Sequence, residues 1–191
     1  MRISRVLHSL DNPRIEWVRK WNGNGVSKII RSWGTKPTFN AVGYLWFAGM
    51  FGVLAALEAN KIGLYLVPPF GATLSILLLL ADAAIAQSYA VILGSVAGAS
   101  VGTLISLFAQ GAGMAVLAAV VALGAIELLR AYHPPGVALA MYPLLLHPGH
   151  WFPILVVLPF TAIAVGSAAI LSKLVGKWPT YPKPLGKRAA R

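Results

Sequence analysis

The amino-acid sequence reads as all-α: a polytopic transmembrane helix bundle with four full spans and two short half-helices. Three observations carry that reading. The 191 residues are 58% hydrophobic, with a mean hydropathy of +0.73, far more apolar than a soluble domain of this size. Four stretches, about 41–59, 89–109, 111–129 and 151–175, are long enough to span a bilayer, which takes roughly 20 residues of helix. Two others, 70–81 and 136–146, are too short to cross as helices, and each follows a proline pair.

The chain begins with a basic segment, 1–37, that precedes any long apolar run. It is no secretory signal, because charges come first and no signal-type apolar core follows. Trp17, Val18, Trp21, Ile29, Ile30 and Trp33 alternate there with Arg and Lys, and Asn22-Gly23-Asn24-Gly25 interrupts them. Such a pattern suits a segment lying on the membrane face, or a loosely ordered tail. Residues 38–176 form the membrane domain, and 177–191 a second basic tail.

The net charge is +11, and its placement is more telling than its size. Eight basic residues precede Thr38 and six follow Leu171, which leaves Lys61 and Arg130 in the core. Positive flanks mark the cytoplasmic side, so both termini are expected inside and the crossings even in number. Nucleic-acid binding, the other reading of excess positive charge, is disfavoured because the charge flanks membrane spans. The expected location is an integral membrane position with both termini cytoplasmic. No cysteine is present, which excludes disulfides, thiolate metal sites and cysteine nucleophiles.

Within the membrane domain one motif occurs twice. Glu58-x-x-Lys61 leads to Pro68-Pro69-Phe70-Gly71, and Glu127-x-x-Arg130 leads to His133-Pro134-Pro135-Gly136. The order long helix, extended link, short helix, long helix thus repeats over about 41–109 and 111–175, as in two tandem copies of one unit. Proline disfavours helix at the residue before it and is welcome in a first helical turn. Each preceding helix must end by Val67 or His133, and each pair starts a new helix. If the short helix returns to its own side, the copies are parallel; if it completes a crossing, they are inverted. Gly94-x-x-x-Gly98-x-x-x-Gly102 lets helices approach closely. Packing within the chain is the preferred reading, and a homo-oligomer interface the other. Trp46, Trp151 and Trp178 suit an interfacial belt.

A helix that starts inside a membrane turns unpaired N–H groups and a positive dipole end into a low-dielectric space, which is an anion site. The candidate donors are the amides of Phe70, Gly71, Ala72 and Thr73 and those of Gly136, Val137 and Ala138, with the hydroxyl of Thr73 or Ser75 beside them. Pro68, Pro69, Pro134 and Pro135 shape the starts and donate nothing. His133 is either a donor to the anion and a proton carrier, or a cap on a helix end. Glu58 with Lys61, and Glu127 with Arg130, each share a helix face as local ion pairs, or else the bases attract anions. His147 and His150 flank Pro148-Gly149 in a polar turn, and Asp82 sits in a loop. No carboxylate accompanies the histidines as a metal site would require. No nucleophile–base set or nucleotide loop is present, so neither an enzyme, a metal nor a cofactor is expected.

At Tyr132-His133-Pro134-Pro135-Gly136, together with Phe70-Gly71-Ala72-Thr73, the chain resembles the HPP family of small integral membrane proteins over about residues 40–175. Plant members of that family are implicated in nitrite transport across the chloroplast envelope. The chain departs from relatives after the tripeptide, reading Gly136-Val137-Ala138 where they often have Ala-Gly-Ala. The resemblance implies a transporter or channel for a small monovalent anion in the lipid bilayer of a bacterial inner, or cyanobacterial plasma, membrane, with nitrite the first candidate. The rival reading is a non-transporting partner subunit or scaffold.

Overall fold

The computed structural model describes residues 40–60, 66–176 and 178–183. The basic N-terminal segment, Lys61 and the last residues of the tail lie outside them. Among the described residues there are six α-helices and no strand: α1 Ala41–Ala59, α2 Pro68–Leu79, α3 Ser88–Ser106, α4 Ala112–Leu128, α5 Pro134–Leu146 and α6 Leu158–Leu174.

Local chemistry sets the boundaries. Asn40 caps α1 by accepting the Gly43 N–H at 3.2 Å, the usual N-cap arrangement. Val67 and His133 are extended, and the two prolines after each occupy the first helical turn of α2 and α5. A wide π turn over Pro153–Val157 runs straight into α6. Pro159 has no N–H for the carbonyl four residues back, and a helix commonly widens at such a point.

Among the described residues three helices are long and apolar enough to cross a membrane: α1, α3 and the continuous Pro153–Leu174 stretch. The expected fourth full span, α4, falls just short of that length. It has 17 residues, about 25 Å of helix. Large apolar side chains such as Leu45, Val53, Phe108, Leu128 and Leu174 stay exposed, as they do where lipid rather than water surrounds a bundle.

Contacts between the helices fix their directions. Gly94, Gly98 and Gly102 of α3 press against the backbone at Ala131, Gly136 and Ala140 in the same order, so α3 and α5 run parallel. The glycine stripe is therefore internal packing, because a Cβ there would strike a carbonyl at or just before α5. Helix α4 runs the opposite way. At its start the Gly111 N–H reaches the Leu144 carbonyl at 3.2 Å, and at its end Leu129 O accepts from Tyr89 Oη at 2.8 Å. Helix α1 is antiparallel to α6: Trp46 Nε1 donates to Ser167 Oγ at 2.9 Å, and Leu57 shares an apolar cleft of about 180 Å³ with Leu155 and Val156. Helix α2 points toward the beginning of α1, where Leu78 covers Gly43.

Two ends of the bundle result. The near end holds Asn40, the 80–87 connector, Leu129 and residues 178–183; the far end holds the last turns of α1, α3 and α5. Residues 178–183 fold back at the near end. Trp178 stands edge-on to Trp46 with centroids 5.4 Å apart, and Tyr181 N–H donates to Ser172 Oγ at 2.9 Å. Lys183 pairs with Asp82 at 2.8 Å. Trp178 is buried in the main core cluster with its Nε1 unpartnered, so the expected belt position fails there. Trp151, at 66% exposure, suits a belt.

Candidate functional site

The two proline-paired starts lie at the depth of a spanning helix. Gly94, packed on Ala131 and His133, is six residues into α3, or about 9 Å along it. Helix α5 therefore begins inside the bundle rather than at its rim. Thr73 Oγ1 lies 3.0 Å from His133 Nε2, which sets the second turn of α2 at the same level. Pro68 is five residues earlier, about 7 Å further in. The two helices pass each other with their first turns side by side.

That arrangement corrects the expected anion hole. An α-helix leaves N–H groups orphaned only in its first turn. Here prolines fill the first two positions, and the third N–H of each helix is spent locally: Phe70 N–H bonds Val67 O at 2.9 Å, and Gly136 N–H bonds His133 O at 2.9 Å. Later amides, those of Gly71, Ala72, Thr73, Val137 and Ala138, fall where the helical ladder takes them. Both Phe70 and Gly136 are buried, Phe70 stacked on Phe160 with centroids 3.8 Å apart and Gly136 against the Gly94 carbonyl. Ala72 and Ala138 are exposed. Ser75 Oγ donates back to Gly71 O at 2.8 Å. Prolines that start a helix within an apolar layer remove the donors that would otherwise need a partner.

What the fold brings together instead is a buried polar contact between the two motifs. His133 and Thr73 have no exposed surface. His133 Nδ1 is 2.8 Å from Ile85 O, and Thr73 Oγ1 also lies 3.2 Å from Pro69 O. Nothing in the sequence marks Ile85 as a partner, because a backbone carbonyl has no residue-type signature. Its position is held by Gln87, whose Nε2 donates to Ala81 O at 3.0 Å and Ala83 O at 3.1 Å. Gln87 Oε1 accepts the Lys183 N–H at 3.1 Å. The folded-back 178–183 segment therefore braces the loop that holds the histidine. Two further buried hydroxyls on α3, Ser95 and Thr103, have no partner; they fall on the stripe of Val91 and Ala99, which belong to the main core.

The remaining candidate residues separate in space. Glu127 and Arg130 are exposed at the near end, and Arg130 ends its helix with a left-handed φ of 54°. Among the described residues the two form no ion pair. Glu58 lies at the far end, where its Oε2 accepts the Leu66 N–H at 3.2 Å, so it ties the first link to α1. His147 and His150 are exposed at that end too. No group of three metal-ligating side chains occurs among the described residues.

The family model for the HPP transmembrane region matches residues 35–182. No curated protein and no solved structure matches the chain.

Proposed function

Because the chain belongs to the HPP family of integral membrane proteins, we propose that it is a transporter or channel for a small monovalent anion, with nitrite the first candidate to test. One observation carries this reading. Two helices that start within the bundle meet through a fully buried Thr73–His133 contact, in a setting where unneeded polar groups are costly. Helix dipoles keep their positive ends at that level, with Arg130 on the near rim, and Lys61 following α1 in the sequence, as attracting charges.

The helix directions support an inverted repeat. Helices α1, α2 and α3 run toward the far, near and far ends, and α4, α5 and α6 toward the near, far and near ends. Each link with its short helix then completes a crossing, and α4 counts as a fourth long span. Six passes leave Asn40 and residues 178–183 on one face, which the flanking positive charge assigns to the cytoplasm. Inverted repeats with broken helices at their interface are a recurrent transporter architecture.

Purified protein in proteoliposomes tests the reading, with nitrite, nitrate, formate and chloride as substrates. Flux of at least one of them above protein-free liposomes is expected. Folded protein that moves none would refute transport of these ions. A second reading, a membrane scaffold or partner subunit without transport, is favoured by the engaged amides of Phe70 and Gly136. A stoichiometric protein that co-purifies, together with absent flux, would select it.

A further inference from the structure

We propose that His133 is a proton-binding site that loads together with the anion, so that the protein moves anion and proton as a neutral pair. This deepens the transport reading and rests on it.

The hydrogen-bond pattern is specific. Ile85 O is a carbonyl and only accepts, so Nδ1 of His133, 2.8 Å away, carries a hydrogen. In the neutral ring Nε2 is then a bare acceptor, and the Thr73 hydroxyl at 3.0 Å donates to it. When Nε2 gains a proton it becomes a donor to Thr73 Oγ1. The hydroxyl hydrogen turns to Pro69 O, 3.2 Å away. The proton comes from the aqueous side, one N–H bond forms, and the charge rises by one. Every polar group keeps a partner in both states, and no heavy atom needs to move. The Pro69 carbonyl is the ordinary back-bonding partner of a helical threonine, as the Val157 carbonyl is for Thr161, so the second arrangement uses an acceptor that the helix already provides.

The surroundings supply the coupling. From α2 the ring faces Thr73, from the connector the Ile85 carbonyl, and from α3 Gly94; none of these is charged or titrates near neutral pH. Glu127, Arg130 and Tyr132 on its own side of the chain are exposed, and no described carboxylate acts on the ring. An imidazolium buried there is unbalanced and costly, and so is an anion brought to the same level. Each offsets the other when both are present. Neither loads well alone, which is the condition for symport.

Two measurements decide it. In proteoliposomes, anion flux should be accelerated by an inside-alkaline pH gradient and be insensitive to an imposed membrane potential. Protein-free liposomes account for leakage of the neutral acid. Flux that follows voltage and ignores the pH gradient overturns symport and leaves transport standing. Absence of flux for every anion removes the transport reading, and symport with it. The second readout is independent of flux: side-chain nitrogen resonances of His133 in lipid nanodiscs, assigned by loss in His133→Gln. The Nδ1–H tautomer is expected at about pH 8, and saturating nitrite should make the ring gain a proton at a higher pH than it does without nitrite. A ring that stays neutral throughout with nitrite present, or that shows the Nε2–H tautomer, overturns the proposal. Thr73→Val removes the acceptor for the second proton and should weaken proton loading about tenfold.

Discussion

The two proline-paired helix starts have the same sequence grammar and different packing. At the second, Gly136 lies against the Gly94 backbone and His133 is held by two hydrogen bonds. At the first, the residue in the place of His133 is Val67, and the residue of α5 in the place of Thr73 is Leu139. Both are fully buried in the main core cluster. Phe70 holds the place of Gly136 and stacks on Phe160, and Gly71, next to it, meets the Phe51 ring, whose Cζ lies 3.0 Å from where a Cβ on Gly71 would stand. A repeated motif thus yields one polar, backbone-tight break and one apolar, side-chain-cushioned break. A proline pair specifies where a helix starts, while the neighbouring residue and the facing helix specify what the start does.

That contrast is sharpest at the α3–α5 contact. Gly98→Ala places a methyl group against the Gly136 carbonyl, where neither backbone can give way. We expect a loss of about 3 kcal/mol or failure to assemble, read by reversible unfolding in micelles; a neutral result would show that the helices are not in this register. His133→Ala comes next. It strands the Ile85 carbonyl and leaves a cavity, for an expected cost of about 2–3 kcal/mol, whereas Val67→Ala at the apolar break should cost about 1–2 kcal/mol. Equal costs would erase the distinction between the breaks.

Smaller effects refine it. Thr73→Val removes the hydroxyl that joins the motifs and should cost about 1 kcal/mol. Ser75→Ala, which removes only a bond back to Gly71 O, should stay within about 0.5 kcal/mol in the same unfolding measurement. Gly71→Ala asks the Phe51 ring to shift by a few tenths of an ångström and should change stability by less than about 1 kcal/mol. Lys183→Ala breaks an exposed ion pair with Asp82 and should cost at most about 1 kcal/mol, less at high salt.

The long apolar runs, the proline-paired starts and the two basic flanks are legible in the sequence because composition and proline chemistry are local. The boundaries at Val67 and His133 follow from what proline does to the residue before it. The role of Gly94, Gly98 and Gly102 as a packing stripe is also readable, since small residues at that spacing have few other uses in a membrane helix. The donor set is not. Sequence leaves the amides of Phe70 and Gly136 free, whereas in the fold each third-position N–H turns back to its own N-cap carbonyl. Trp178 suits an interface by residue type, but the chain after α6 folds it into the core beside Trp46.

Residue order alone therefore settles that this chain is a helical membrane protein, and where its short helices begin, because hydropathy and proline geometry act over a few residues. Which way each helix runs, and that Thr73 and Ile85 converge on His133, comes from contacts between residues dozens of positions apart. Those contacts depend on how whole helices pack, and no local pattern encodes them.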